Sequence, residues 1–376
     1  MTLKKIATIG IVAFTFAPLG FSQVHYPVVP EPVQSYVQTN LTSNQTGQAP
    51  VTDTNLVNAW GLSRSSGSPW WVSDNGTGLS TLYDGTGATQ PLVVTIPPAD
   101  VNVSSTGTPT GTIFNGTTDF EIAPGKPAVF LFATEDGTIS GWNPGVQPTA
   151  AVIAVNETKK AVFKGLAMAQ ASINGGPLAN YLYVANFKSG IVEVFDTSFH
   201  RVPAIELTIQ KVYSSIPHGF APFNVQNIGG NLYVTYALRD SARHDEVDGA
   251  GLGRVEVFRP DGVLTLILQP GPWFNAPWGV ALASGDFGAF SHDLLIGNFG
   301  SGEILAFEPL HGSFIGKLRL TNGDPIQIPG LWGISFGNGG KAGSATALYF
   351  AAGPDGEQNG LLGMLTPVEN KAGNGN

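Results

Sequence analysis

Residues 239–249 read RDSARHDEVDG and hold Arg239, Asp240, Arg243, His244, Asp245, Glu246 and Asp248 within eleven positions, in a 376-residue chain of which only 12% is Asp, Glu, Lys or Arg. Carboxylates and an imidazole gathered on one loop are oxygen and nitrogen ligands of the kind that take Ca²⁺ or another divalent metal. His218 precedes this stretch and supplies a further candidate ligand, so the expected metal set is His218, His244, Asp245, Glu246 and Asp248. The spacing matches no EF-hand loop, and no HExxH occurs. The competing reading is a solvated loop whose charges pair among themselves.

A second group could bind rather than react. Trp60, Trp278 and Trp332 open similar segments (NAWGLS, APWGVALA, GLWGISFG) and offer flat apolar faces for a sugar or another planar ligand. Recurrence at one position equally suits packing between repeats. Asn186, Asn298 and Glu357 join them as ligand-binding candidates, although asparagine is also a common turn former. Ser335 in GISFG formally fits Gly-x-Ser-x-Gly, but it falls in a strand rather than at a strand-to-helix elbow. An arginine triad would require Arg64 to join Arg239 and Arg243. No residue earns a catalytic assignment.

The elements that carry these residues repeat. Aligning Trp60, Phe120, Lys164, Phe223, Trp278 and Trp332 gives spacings of 60, 44, 59, 55 and 54 residues, close to a propeller blade. Each first segment is followed by an apolar run of strand length (PWWVSDN, AVFLFATED, YLYVANF, NLYVTYA, DLLIGNF, ALYFAAG) and then by an alternating one such as IVEVFD or RVEVF. Five fourth strands follow; the sixth repeat ends without one, and SYVQTNL at 35–41 can supply it. The fold expected is an all-β, six-bladed β-propeller of four-stranded blades spanning 33–368, its last blade closed by the N-terminal strand. That closure leaves no open sheet edge. The strand-entry positions and the loops between second and third strands then share one face, with 239–249 as an insertion in blade 4. The turns at 284–292 and 337–344 belong to the opposite face.

Bulk properties narrow the partners. A net charge of −9 with 18 basic residues argues against nucleic acid. Residues 1–22 carry Lys4 and Lys5, an apolar run and small residues Gly20 and Ser22, the pattern of a cleaved signal peptide. The expectation is a secreted or periplasmic protein with no stable membrane anchor after cleavage, monomeric, with short flexible segments at 23–32 and 369–376. Its partners would be a small molecule, a glycan or an extracellular protein. There is no cysteine, so stability must come from core burial and ring closure.

The segments NLVNAWGL, LYVANFKSGIVEVFD, APFNVQNIGGNLYVTYA, HDEVDGAGLGRVEVF and DLLIGNFGSGEILAF resemble a family of exported bacterial six-bladed propeller proteins, some with a PEP-CTERM sorting tail. The resemblance covers nearly the whole mature chain and implies fold and export, but no activity. The tail VENKAGNGN lacks the sorting pattern, which implies release rather than anchoring. A broader pattern is similar to NHL and gluconolactonase-like propellers. A metal-dependent hydrolase or lyase of lactonase type is the alternative it implies, although Asn58-Ala59-Trp60 stands where that site wants a carboxylate.

Overall fold

The computed structural model describes residues 35–173, 175–208 and 219–368. His218, the signal-like segment and both flanking segments lie outside them.

Six antiparallel blades make up the propeller. Blade 1 runs Ala59–Ser63, Trp70–Asp74, Leu79–Tyr83, Thr89–Thr95, and blade 2 runs Pro109–Phe114, Phe130–Thr134, Thr138–Trp142, Val152–Asn156. Blade 3 comprises Phe163–Ser172, Leu178–Asn186, Ile191–Phe195 and Leu207–Thr208; blade 4 comprises Phe220–Ile228, Asn231–Arg239, Arg254–Phe258 and Leu264–Ile267. Blade 5 is Pro277–Leu282, Leu294–Asn298, Ile304–Phe307 and Phe314–Lys317. The second strands at 70–74, 130–134, 294–298 and 348–352 are buried along their whole length. Packed on both faces, such strands read as continuous apolar runs rather than alternating ones.

Blade 6 takes Leu331–Phe336, Leu348–Ala352 and Leu361–Pro367, and its outer strand is the N-terminal Ser35–Ser43. The pairing is antiparallel, from Tyr36 opposite Pro367 to Ser43 opposite Leu361. Ser35 and Tyr36 also pair in parallel with Arg319 and Leu320, which follow blade 5. The fully buried Tyr36 packs on Phe287 at 4.7 Å between ring centroids, and its hydroxyl donates to the Phe287 carbonyl at 2.9 Å. The closing strand is thereby bound to two blades at once.

Blade 2 corrects the repeat alignment. Its innermost strand is Pro109–Phe114, whereas Phe120 belongs to a small excursion in which Glu121–Ala123 pairs with Lys126–Pro127. Phe120 adopts a φ of 62° and is fully buried, so an aromatic in an apolar setting imitated a strand entry from a turn.

The glycine after each entry tryptophan has a steric cause. A Cβ on Gly333 would lie 2.8 Å from the Trp60 carbonyl oxygen, and one on Gly279 would lie 2.7 Å from the Trp332 carbonyl oxygen. The innermost strands of adjacent blades thus approach backbone to backbone, which only glycine allows.

Candidate functional site

At the start of the innermost strands, side chains from different blades meet over the channel. Trp60 stacks on Trp332 at 3.8 Å, Phe299 stacks on Trp332 at 4.0 Å, and Trp278 meets Trp332 edge-on at 6.0 Å. Phe223 and Phe187 extend the same buried cluster. The tryptophans are at most 5% exposed, so this is an aromatic plug whose ring faces are taken up by one another. Trp332 Nε1 donates to Asn58 Oδ1 at 2.9 Å and Trp278 Nε1 donates to the Lys164 carbonyl at 2.9 Å, fixing the plug to the polar layer around it.

Lys164 occupies the aromatic's position in blade 3. Its Nζ lies 5.0 Å from the Trp60 ring centroid and 5.8 Å from that of Phe187, a cation–π arrangement. The ammonium donates to Glu135 Oε1 at 2.6 Å and stands 3.5 Å from Asp245 Oδ1. Burial alone would lower its pKa; Glu135, Glu246 and Asp245 outweigh that and hold it above the usual lysine range. The surrounding carboxylates thus favour its charged form.

From Glu135 a chain of side-chain amides runs back around the axis. Asn75 Nδ2 donates to Glu135 Oε2 at 2.8 Å, and Asn58 Nδ2 donates to Glu357 Oε2 at 2.6 Å and to Asn75 Oδ1 at 3.3 Å. Asn58 and Glu357 both have positive φ, 48° and 68°. Asparagine tolerates that conformation, whereas for glutamate it is uncommon, a local strain of the kind that gathers at functional positions.

The blade 4 insertion closes over this layer. Glu246–Val247 pairs back onto Leu238–Arg239, and Asp240 Oδ1 accepts the N–H groups of His244 and Asp245. Arg239 donates from Nη1 to the carbonyls of Phe187 and Lys188, while the Gly249 N–H donates to Asn275 Oδ1. Much of the loop's charge thus holds the loop's own shape and ties it to blades 3 and 5. Burial raises Glu246 to about 7, opposed by Lys164 and assisted by Glu357 and Asp248. Glu357 is likewise raised, first by burial and then by Glu135, and Asp248 by burial.

A cleft of about 300 Å³ opens beside this network between blades 5 and 6. Its lining includes Asp248, Phe299, Gln327, Asp355 and Glu357 and the backbones of several glycines.

No family model matches the chain. Curated relatives do match: "Uncharacterized protein R648" of Acanthamoeba polyphaga mimivirus is 31% identical over 332 residues, covering 86% of this chain and 78% of the relative. "Uncharacterized protein L690" of the same virus is 30% identical over 332 residues, covering 86% and 84%. The chain belongs to the R648/L690 family. Among solved structures, a protein of unknown function from Bacteroides thetaiotaomicron aligns over 89% of this chain and 76% of its own at TM-score 0.53 and 11% identity. The PQQ-bound aldose sugar dehydrogenase of Streptomyces coelicolor aligns over 90% and 100% at TM-score 0.50 and 13% identity. At such identities the likeness is one of fold.

Within this R648/L690 relative, the expected metal ligands separate. His244 and Asp245 converge with Glu135, ligand atoms of all three lying within 4.8 Å of one another, and His244 Nδ1 is 2.7 Å from Asp245 Oδ1. Asp248 lines the cleft instead, as Glu357 does. Glu246 joins neither group of ligand atoms but acts on Lys164 through charge. Asn186 and Asn298 are buried and spent on turns: Asn186 accepts from the Ser189 N–H and donates to Glu193, and Asn298 accepts from the Asn275 N–H and donates to the Trp273 carbonyl. Arg64 lies at the other end of the channel, bonded to the Phe336 and Gly337 carbonyls, so it forms no triad with Arg239 and Arg243. Lys164, Asn58 and Asn75 are not among the site residues that the sequence suggests. The available signal was a lysine standing at a repeat position otherwise held mostly by aromatics.

Proposed function

We propose that this propeller binds a small cationic molecule in the cleft beside the Lys164 network. One observation carries the reading: Asp248, Asp355 and Glu357 line a cleft of about 300 Å³ together with the half-buried ring of Phe299, and no lysine or arginine lines it. Lys164 is paired with Glu135 and does not line the cleft, so it offsets the burial of Glu357 only in part. Burial raises the pKa of both Glu357 and Asp248, and Glu135 adds to the rise at Glu357. A bound ammonium would relieve it, and an aromatic ring beside the carboxylates suits a quaternary or primary amine. The volume lies at the lower end for small-molecule sites, about 300–1,000 Å³. With residues 1–22 read as an export signal, the ligand would be an extracellular or periplasmic solute. A thermal-shift screen of amines against uncharged isosteres tests the reading; stabilisation by glycans or neutral compounds alone would refute it.

A second reading, a divalent-metal centre for hydrolase or lyase chemistry, is favoured by the convergence of Glu135, His244 and Asp245. One imidazole and two carboxylates fit Zn²⁺ or a similar ion and would leave a position for water. Against it stands the Lys164 ammonium, bonded to Glu135 and close to Asp245. A metal would have to share both carboxylates with that cation or displace it.

A further inference from the structure

The opposite mouth of the channel carries a different chemistry. Arg64 follows the innermost strand of blade 1, and its Nε and Nη2 donate to the Phe336 and Gly337 carbonyls at 2.7 and 3.1 Å. Both acceptors are neutral, and among the described residues Arg64 has no carboxylate partner. A guanidinium has five N–H donors. Two are engaged here, leaving both hydrogens of Nη1 and one of Nη2. The Trp70 ring, 5.5 Å from Cζ, holds the group in place. Burial is the influence on its pKa, which it lowers, as expected of a guanidinium removed from water without a counter-ion.

Arg64 lines a cavity of about 230 Å³ together with Ser63, Ile113, Phe114, Met168 and Gln226. Gln226 also lines a narrow throat of about 30 Å³ that continues up the channel toward Trp278. Thr112 and Ser335 face the same throat. Thr112 is 6% exposed, and its hydroxyl oxygen is buried with no hydrogen-bond partner. The Gln226 side-chain amide, half-buried at the channel wall, makes no hydrogen bond within the described residues. Buried polar groups are normally satisfied, so the unpartnered Thr112 hydroxyl marks a place where something else supplies the bond, with the Gln226 amide open to the same throat.

We propose that this mouth binds a small organic carboxylate. Its carboxylate pairs with the free Nη1/Nη2 edge of Arg64, the planar recognition that guanidinium favours. Its apolar body lies against Ile113, Phe114 and Met168, and a polar atom or a bound water reaches Gln226 and Thr112. The cavity is smaller than the usual small-molecule range, which excludes nucleotides and oligosaccharides. The site is independent of the cationic site on the other face and does not rest on it.

Calorimetric titration of the full chain with hexanoate and benzoate, against hexanamide and benzamide at matched ionic strength, tests the proposal. The carboxylates should bind about tenfold more tightly than their amides, and Arg64→Met should remove about that factor. Because Arg64→Met also gives up two bonds to blade 6, Gln226→Leu serves as a second variant that loses no internal bond and should weaken carboxylate binding severalfold. Carboxylates and amides binding alike, or carboxylate binding unchanged in both variants, would overturn the proposal. Inorganic phosphate binding more tightly than every carboxylate would overturn it as well, since phosphate has no apolar body for the cavity walls.

Discussion

The Lys164 ammonium and Glu135 Oε1 are 2.6 Å apart, with the lysine side chain 2% exposed and the glutamate 12%. Such a pair holds its place because each charge would be stranded without the other. Breaking a buried pair by removing one partner typically costs about 3–5 kcal/mol. Lys164→Met should therefore lower unfolding free energy by about 3 kcal/mol in chemical denaturation. Glu135→Gln should lower it less, since Asp245 and Glu246 still face the lysine. A loss below about 1 kcal/mol for Lys164→Met would show that the pair is not structural.

The same substitution separates the two readings of the upper face. With the ammonium gone, Glu135, His244 and Asp245 keep their convergence and lose the competing cation. Zn²⁺ should then bind Lys164→Met more tightly than the wild type and restore part of its lost stability. Equal Zn²⁺ affinity in both proteins, measured by competition with a chromophoric chelator, would show that Lys164 does not guard the site.

Trp332 touches Trp60, Trp278, Phe223 and Phe299 and is fully buried. Trp332→Ala should cost about 3–5 kcal/mol, as large-to-small changes at buried aromatics do. Asn58 would also lose its indole donor, and with it part of the restraint on Glu357. Ligand binding in the upper cleft should weaken along with stability. Weakened stability with unchanged binding would detach the plug from the site.

Stability should fall as pH rises from about 4.5 to 7. Glu193 and Glu256, buried at matching positions in the third strands of blades 3 and 4, are both raised by burial to about 7, as is Glu246. In that window the folded chain retains protons that the unfolded chain has released, so unfolding becomes easier as pH rises and levels off above the folded pKa. The combined effect is on the order of a few kcal/mol. Asp84, Asp240, Asp261 and Glu308 are shifted downward, so their contribution is lost only at more acidic pH. Thermal melts that rise between pH 5 and 7 would contradict this assignment.

Much of the fold is legible in the sequence because its constraints are local. Trp-Gly at a strand entry reports both an aromatic facing the axis and a glycine that a neighbouring backbone crowds. Blade 2 escaped because its true innermost strand, PTGTIF, has the crowded glycine, Gly111, without the aromatic, while Phe120 has the aromatic in a turn. The site is less legible. Lys164, Glu135, Asn75, Asn58 and Glu357 belong to blades 3, 2, 1 and 6; the repeat puts their positions on one face, but nothing in their spacing says which side chains pair there. The charged insertion drew attention by composition, yet Arg239 and Asp240 serve mainly to shape and anchor it.

The most direct measurement is calorimetric titration with choline and with 3,3-dimethylbutan-1-ol, its uncharged isostere, on the wild type and on Glu357→Gln and Asp248→Asn. Choline should bind the wild type at least about tenfold more tightly than the alcohol, and about tenfold more weakly in either variant. Equal binding of choline and the alcohol, or choline binding indifferent to both substitutions, would contradict a cation site in the cleft between blades 5 and 6.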